Sequence, residues 1–126
     1  MDFNKCSCSG KSLARLLQPA LMSVLASEPL HGYLIAQRLR KLTMFEKSPP
    51  DYTGIYRLLN TMEAQGLVKG EWDTGEAGPA KRRYAITSRG RACMATWLKT
   101  LREYRRAIDD LTTVLESRVV KRKRMR

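Results

Sequence analysis

The chain has 126 residues, enough for one domain with a modest hydrophobic core, and its 24 Lys and Arg against 12 Asp and Glu give a formal net charge of +12. No apolar run approaches the roughly 20 residues that span a bilayer, and residues 1–12 lack the apolar stretch of a secretory signal. We therefore expect a cytoplasmic protein with no membrane partner.

The positive charge is distributed along the chain. Residues 121–126 carry five basic residues, which leaves a net charge of +7 on residues 1–120. Residues 77–102 contain seven basic residues and no acidic one. This excess favours a polyanion as partner, because each neutralised phosphate releases condensed counterions. A basic surface that is only solvated is the alternative.

Two helices are predicted in the first part of the chain. Residues 1–12 are small and polar and are expected to be flexible. Apolar residues then recur at helical spacing from Leu13, and Pro19 fits the first turn of a helix, where its missing N–H has no intrahelical acceptor. A second helix is predicted to begin near His31-Gly32 and to run through Leu42, with Tyr33 in its inward stripe.

A third helix is predicted from about Thr53 to Gln65, after a Pro-rich break, with Gly66 as its C′ glycine. The residues outside its apolar stripe are Thr53, Gly54, Tyr56, Arg57, Asn60 and Thr61. Arg and Asn are suited to bidentate contacts with guanine and adenine edges, respectively. The hydroxyls of Thr53 and Tyr56 suit phosphates, and Gly54 would let the backbone approach closely.

Two strands follow, predicted from Leu67 to Trp72 and from Tyr84 to Thr87. The segment between them is too long for a tight two-residue turn, so the hairpin tip would carry three consecutive basic residues, Lys81, Arg82 and Arg83. Such a tip can lie along a DNA backbone or enter a minor groove, where Arg is favoured. Strand alternation sends Arg82 and Tyr84 to one side and Arg83 to the other, which leaves open whether one of the three is only a surface charge.

A long final helix is predicted, capped by Thr87 or Ser88. Its apolar residues recur at alternating spacings of three and four, which is a heptad seam. The seam residues are Met94, Trp97, Leu101, Tyr104, Ile108, Leu111 and Leu115. Because a lone helix packed on a domain does not need so long a seam, we predict a homodimer whose interface contains Trp97, Leu101, Tyr104, Ile108, Leu111 and Leu115.

The order of these elements is that of a winged helix-turn-helix. We predict a mainly α fold (α+β) with a two-stranded β-wing and a long C-terminal dimerisation helix. The expected segments are a flexible stretch (1–12), a DNA-binding domain (13–88), a dimerisation helix (89–120) and a basic tail (121–126). Double-stranded DNA is the expected partner.

Four segments resemble the PadR family of transcriptional regulators: HGYLIAQRL (31–39), TGIYRLLNTMEAQGLVKGEW (53–72), GPAKRRYAIT (78–87) and SRG (88–90). The resemblance covers about residues 18–120. It implies a homodimeric repressor at a pseudo-palindromic operator near its own promoter, with Tyr56 and the wing basic residues on the DNA backbone. Family members often have Leu-Ser-x-Gly-Thr-Leu-Tyr where this chain has Pro50-Asp51-Tyr52-Thr53-Gly54-Ile55-Tyr56. The short C-terminal part resembles the branch with one dimerising helix.

Trp97 has two interpretations. Some single-helix members of the family hold flat apolar compounds between facing tryptophans, so the resemblance implies a pocket of Met94, Trp97, Leu98 and Leu101 for a small apolar or aromatic effector. The spacing itself favours a simpler role, since an aromatic residue in a helical stripe usually packs in a core.

Other chemistries find little support. Cys6 and Cys8 supply only two of the four ligands of a structural zinc, and Cys93 is remote in sequence. We therefore predict free thiols, no bound metal and no cofactor, with metal or redox sensing by these cysteines as the alternative. His31 has no catalytic partner and no nucleophile motif occurs, so an enzyme is not expected. The functional alternative is a nonspecific architectural DNA- or RNA-binding protein.

Overall fold

The computed structural model describes residues 11–73 and 81–124. In chain order the elements are a 3₁₀ helix (Lys11–Leu16), α1 (Leu17–Leu25), β1 (Leu30–His31), α2 (Gly32–Arg40), a 3₁₀ turn (Thr43–Phe45), α3 (Tyr52–Ala64), β2 (Val68–Asp73), β3 (Lys81–Ile86) and α4 (Ser88–Arg124). Among these residues, no helix combines the length and the apolar character needed to cross a membrane. The architecture is the predicted winged helix, mainly α with a small antiparallel sheet.

The chain divides into two units, Met1–Met94 and Ala95–Arg126. The first unit contains the hydrophobic core, to which α1, α2, α3 and β2 all contribute. The largest fully buried side chains are Leu21, Met22, Leu25, Ile35, Leu39, Phe45, Ile55, Leu59, Met62 and Val68. Burying each such side chain contributes about 1.5–3 kcal/mol, so this core fixes the position of α3.

The helices of the first unit begin and end for local reasons. The Asp51 side chain caps α3 by accepting a hydrogen bond from the Gly54 amide at 2.6 Å. Gly66 has a φ of 75° and follows the C-cap, as predicted. The second helix differs from its prediction, because it ends at Arg40 and leads into the 3₁₀ turn that buries Phe45.

The prediction that the Tyr33 side chain points into the core was wrong, since it is 43% exposed. Tyr33 is the second residue of α2, and the buried stripe of that helix consists of Gly32, Ile35, Ala36 and Leu39. The ring lies instead near the sheet, with the Lys81 Nζ 5.2 Å from its centroid.

The sheet has three strands in the order β1-β3-β2, all antiparallel. Two strands were predicted, and β1 is the additional one. It is only two residues long, which is too short to leave an alternating pattern in the sequence. β3 begins at Lys81 rather than at the predicted Tyr84. The three basic residues therefore lie inside the paired strand, where Arg82 is opposite Trp72 and Lys81 is opposite Asp73, and the prediction that they form a loop tip was wrong.

The start of α4 is tied to the turn between α3 and β2. The Thr87 hydroxyl donates to the Gly66 carbonyl oxygen at 2.6 Å and accepts from the Gly90 amide at 3.0 Å. This is the predicted helix cap. A side chain at Gly90 would clash with the carbonyl oxygen of Leu67, so the backbones pack at a distance that only glycine allows.

In the second unit, most large apolar side chains of α4 are exposed. Eight of them are between 48% and 61% exposed: Leu98, Tyr104, Ile108, Leu111, Val114, Leu115, Val119 and Val120. Large apolar surfaces of this kind are rare on monomers and commonly mark a protein interface.

Candidate nucleic-acid interface

The outer face of α3 presents polar side chains to solvent. Thr53, Arg57 and Asn60 are exposed, and Tyr56 is 37% exposed. Among the described residues, no ion pair engages Arg57. The guanidinium and the Asn60 amide are therefore available for hydrogen bonds to a ligand on this face.

The ring of Tyr56 packs against Gly32 at the first residue of α2. A Cβ atom at Gly32 would lie 2.6 Å from the Cε1 atom of Tyr56, well inside van der Waals contact. Burial, followed by the nearby phenols of Tyr84 and Tyr52, raises the pKa of Tyr56. At neutral pH the phenol is thus a protonated hydrogen-bond donor held at the edge of the α3 surface.

Gly54 lies in the cap of α3. Its amide already donates to Asp51 Oδ1, and a Cβ atom there would lie 2.8 Å from the same oxygen. The glycine therefore makes room for the cap of α3, and its N–H is not free for a phosphate.

A cleft of about 360 Å³ lies between the start of α2, the α3 surface and the sheet. Its lining residues are His31, Gly32, Tyr33, Tyr56, Trp72, Lys81, Arg82 and Tyr84. The fold thus brings Tyr56 together with Lys81 and Arg82, which the sequence had assigned to two separate elements. The surface is aromatic with a basic edge, a combination that suits nucleic-acid backbones.

Arg82 forms a bidentate salt bridge with Glu63 of α3. Its Nη1 and Nη2 atoms donate to Glu63 Oε1 and Oε2 at 3.0 and 2.8 Å, and Nη2 also donates to the Gly70 carbonyl oxygen at 2.9 Å. The guanidinium carbon lies 5.6 Å from the Trp72 ring centroid and 5.4 Å from that of Tyr84. The hydrogen bonds from Arg82 lower the pKa of Glu63.

Arg83 points to the other side of the strand, as the alternation predicted. Its Nη2 donates to Asp73 Oδ2 at 3.0 Å, and half of the side chain is exposed. The same carboxylate oxygen lies 3.0 Å from His31 Nε2. His31 therefore contacts a carboxylate of β2, while Arg83 keeps donors that face solvent.

The remaining predicted site residues lie elsewhere. Met94, Trp97 and Leu101 are half-buried on α4, and Leu98 is exposed. Cys93 is a half-buried free thiol, whereas Cys6 and Cys8 lie outside the described residues. In the part of the chain that the structure describes, no group of three or more His, Cys, Asp or Glu side chains could hold a metal ion.

Comparisons with known proteins show which family the chain resembles. Residues 21–96 match the transcriptional regulator PadR-like family. A Thermoplasma acidophilum protein described as a transcriptional regulator has a solved structure that is 30% identical, with a TM-score of 0.66 over 82% of this chain and 96% of that one. Among curated proteins, none matches the sequence.

More distant structures share the fold. A PadR-like transcriptional regulator from Bacillus cereus is 21% identical, with a TM-score of 0.67 over 80% of this chain and 95% of that one. Bacillus subtilis PadR, solved in complex with operator DNA, is 21% identical, with a TM-score of 0.59 over 67% of this chain and 47% of that one. The family match and the 30% identical relative together show that the chain belongs to the PadR family, whose members are transcriptional regulators and not enzymes.

Proposed function

We propose that this regulator binds a pseudo-palindromic operator in double-stranded DNA as a homodimer and represses transcription there. The observation that carries the proposal is the exposed pair of Arg57 and Asn60 on α3, beside a strand that starts with three basic residues. A helix with this face fits a major groove about 12 Å wide. Further support comes from Bacillus subtilis PadR, a protein of the same fold that is in complex with operator DNA.

The side chains divide into those that select a sequence and those that hold the backbone. Arg57 and Asn60 can make bidentate contacts with guanine and adenine. Thr53 and Tyr56 carry hydroxyls that can donate to phosphates. Lys81 and Arg83 are the exposed basic residues of β3 and complete the backbone contacts, since each can neutralise a phosphate.

In the structure, two residues of the predicted DNA surface already form hydrogen bonds within the protein. The Gly54 amide is bonded to the Asp51 cap, and the Arg82 guanidinium is bonded to Glu63 and Gly70. We therefore propose that Gly54 acts by forming the N-terminus of α3, and that Arg82 makes a weaker direct contribution than its two neighbours.

The dimer rests on the exposed seam of α4. Tyr104, Ile108, Leu111 and Leu115 recur at spacings of four, three and four and are each at least half exposed. Along with Trp97 and Leu101, they would be buried if the same seam of a second copy packed against them. Such a dimer presents two copies of α3, so the expected half-sites are about 34 Å apart or a multiple of that distance.

A competition assay at physiological salt tests the proposal. Genomic selection first identifies a bound inverted repeat, and this duplex then competes against random duplex and against RNA. We expect a specificity ratio of about 10³ or more. The variants Arg57→Ala and Asn60→Ala are expected to lower that ratio, while Lys81→Gln lowers affinity for all duplexes equally.

A ratio near one for the wild-type protein would contradict the proposal and favour the nonspecific architectural or RNA-binding alternative. Repression is tested separately, with a reporter gene placed behind the selected operator. Wild-type protein is expected to lower reporter expression, and unchanged expression despite specific binding would exclude the repressor role.

We propose two alternative roles for Trp97. Either it packs in the dimer core, or it forms, with Met94, Leu98 and Leu101, a pocket for a small apolar or aromatic effector. A Trp72→Phe variant leaves Trp97 as the only tryptophan, so its fluorescence reports this site alone. Saturable quenching by flat aromatic compounds, together with release of operator DNA, would support the pocket, whereas unchanged fluorescence leaves the packing role.

A further inference from the structure

A group of polar side chains joins the two wing strands to the C-terminal part of α3. The Glu63 carboxylate accepts from both terminal nitrogens of Arg82, and its Oε2 also accepts from the Gly70 amide at 2.9 Å. The Arg82 guanidinium bonds in turn to the Gly70 carbonyl oxygen. One carboxylate near the end of α3 thus binds a side chain of β3 and the backbone of β2.

The backbone of β2 is shaped to receive this pair. A Cβ atom at Gly70 would lie 2.6 Å from Arg82 Nη2 and 2.9 Å from Glu63 Oε2. Only glycine leaves room for the guanidinium and the carboxylate to meet against the strand. Trp72 and Tyr84 lie within cation–π distance of the same guanidinium, so its position is set from several directions.

Arg82 and Arg83 therefore differ sharply although they are adjacent in sequence. Arg83 bonds to Asp73 of its own hairpin, and half of its side chain is exposed. Arg82 has only 29% of its side chain exposed, and its Nε is buried. Its terminal donors are already directed at α3 and at Gly70, which leaves little donor capacity for a phosphate.

We propose that Glu63, Gly70 and Arg82 form a clamp that holds the wing, formed by β2 and β3, at a fixed position relative to α3. Arg82 is then a positioning residue for DNA binding and not a phosphate contact. The inference rests on the proposed DNA-binding function. It assigns Glu63, an acidic residue that would repel DNA, a favourable role in binding it.

The sign of the Glu63 effect distinguishes the clamp from simple electrostatics. Replacing Glu63 with Gln removes a negative charge, and charge alone predicts tighter binding to DNA. The clamp predicts weaker binding, because the bidentate acceptor is lost and the wing leaves its docked position part of the time. If the docked fraction falls to one third, the apparent Kd rises about threefold.

The experiment compares four single variants and the Glu63→Gln/Arg82→Gln double variant in operator binding across a salt series, at a temperature where circular dichroism shows each one folded. Glu63→Gln and Arg82→Gln break the clamp from its two sides. Glu71→Gln is the matched charge control, because Glu71 lies on β2 and pairs only with the exposed Lys69 in the described structure. Arg83→Gln is the matched control for Arg82.

We expect Glu63→Gln and Arg82→Gln each to raise the Kd about threefold or more, with the wild-type salt slope. The double variant should be no weaker than the weaker single variant, because both substitutions break one interaction. Glu71→Gln should bind as well as wild type or slightly better. Arg83→Gln should lower the salt slope by about 0.9, the value of one phosphate contact.

The clamp is overturned if Glu63→Gln binds as tightly as Glu71→Gln. It is also overturned if Arg82→Gln reduces the salt slope as Arg83→Gln does. An affinity loss that merely follows the folded fraction of each variant would also overturn the positioning role.

Hydrogen exchange of the Gly70 amide separates this inference from the proposed function, because it needs no DNA. Exchange is expected to accelerate in Glu63→Gln and to stay unchanged in Glu71→Gln. If wild-type protein showed no operator preference, the proposed function would fail while faster exchange still supported the clamp. Unchanged exchange in Glu63→Gln would overturn the clamp in either case.

Discussion

Replacing Gly32 with alanine is expected to weaken DNA binding without unfolding the protein. The new methyl would lie 2.6 Å from Tyr56 Cε1 and 3.3 Å from both Cζ and the phenol oxygen. Carbon atoms in contact sit about 3.5–4.0 Å apart, so the ring must retreat by about 1 Å. Because the ring is partly exposed, it can swing outward instead of forcing the two helices apart.

The expected cost to stability is small and the expected cost to binding is large. Alanine is favoured over glycine within helices by about 0.5–1 kcal/mol, which offsets part of the strain, so the free energy of unfolding should stay within about 1 kcal/mol of wild type. A hydrogen bond to a charged group contributes about 1.5–3 kcal/mol. If displacement of the Tyr56 hydroxyl loses such a bond to a phosphate, the Kd rises about tenfold to 100-fold.

A double-mutant cycle with Tyr56→Ala tests the mechanism by fluorescence anisotropy with operator DNA. Gly32→Ala should raise the Kd in the wild-type background and have no further effect in Tyr56→Ala, where the methyl occupies space that the ring has vacated. Equal losses in both backgrounds would mean that Gly32 acts through something other than Tyr56. Unchanged binding in the wild-type background would refute the role of the Tyr56 hydroxyl.

Three further predictions concern stability, pH and assembly. Gly66→Ala should lower the free energy of unfolding by about 1–2 kcal/mol in urea titrations. The cost comes from the left-handed backbone, since φ is 75° and the nearest atom to a new Cβ is 3.7 Å away, which is ordinary contact. An unchanged urea midpoint would contradict this backbone strain. The hydrogen bonds from Arg82 lower the folded-state pKa of Glu63 from its ordinary value of 4.5, so its stabilising contribution is complete above about pH 4.5 and is lost as the pH falls through the lowered pKa. The melting temperature of wild type should therefore fall more steeply below pH 4.5 than that of Glu63→Gln, and parallel curves would argue against the pair. Ile108→Glu places a charge in the α4 seam and should convert a dimer to a monomer in sedimentation at micromolar concentration. Arg105→Glu, at an exposed position outside the seam, serves as the control. Equal sedimentation of wild type and Ile108→Glu would exclude this dimer.

Much of the fold could be predicted because its signals are local. Apolar spacing, the Pro49-Pro50 break and the glycine at position 66 mark helices in single stretches of chain. The strand β1 could not be predicted in this way, since two residues carry no periodicity and Leu30 pairs with Tyr84, more than fifty residues away. The start of β3 was missed for a related reason, because Lys81–Arg83 are polar residues that become strand only by pairing with Glu71–Asp73.

The candidate site was predictable residue by residue but not as an arrangement. Helical periodicity alone placed Arg57 and Asn60 on the outer face of α3, and the structure has both exposed. The contact between Tyr56 and Gly32 joins two helices and is invisible in either one. A signal did exist for Glu63, which is the one acidic residue within α3 (Tyr52–Ala64), but the sequence did not indicate its partner.

The sequence by itself determined the kinds of elements, their order, the apolar seam of α4 and the polar face of α3, because all of these follow from spacing along a single helix or strand. It could not decide which of three adjacent basic residues is available for DNA. Charge treats Lys81, Arg82 and Arg83 alike, and alternation separates their faces without showing which face is occupied. Only the tertiary structure brings Glu63 and the side-chain-free backbone of Gly70 to Arg82. The availability of a charged side chain depends on the partners that folding brings to it, and those partners come from distant parts of the chain.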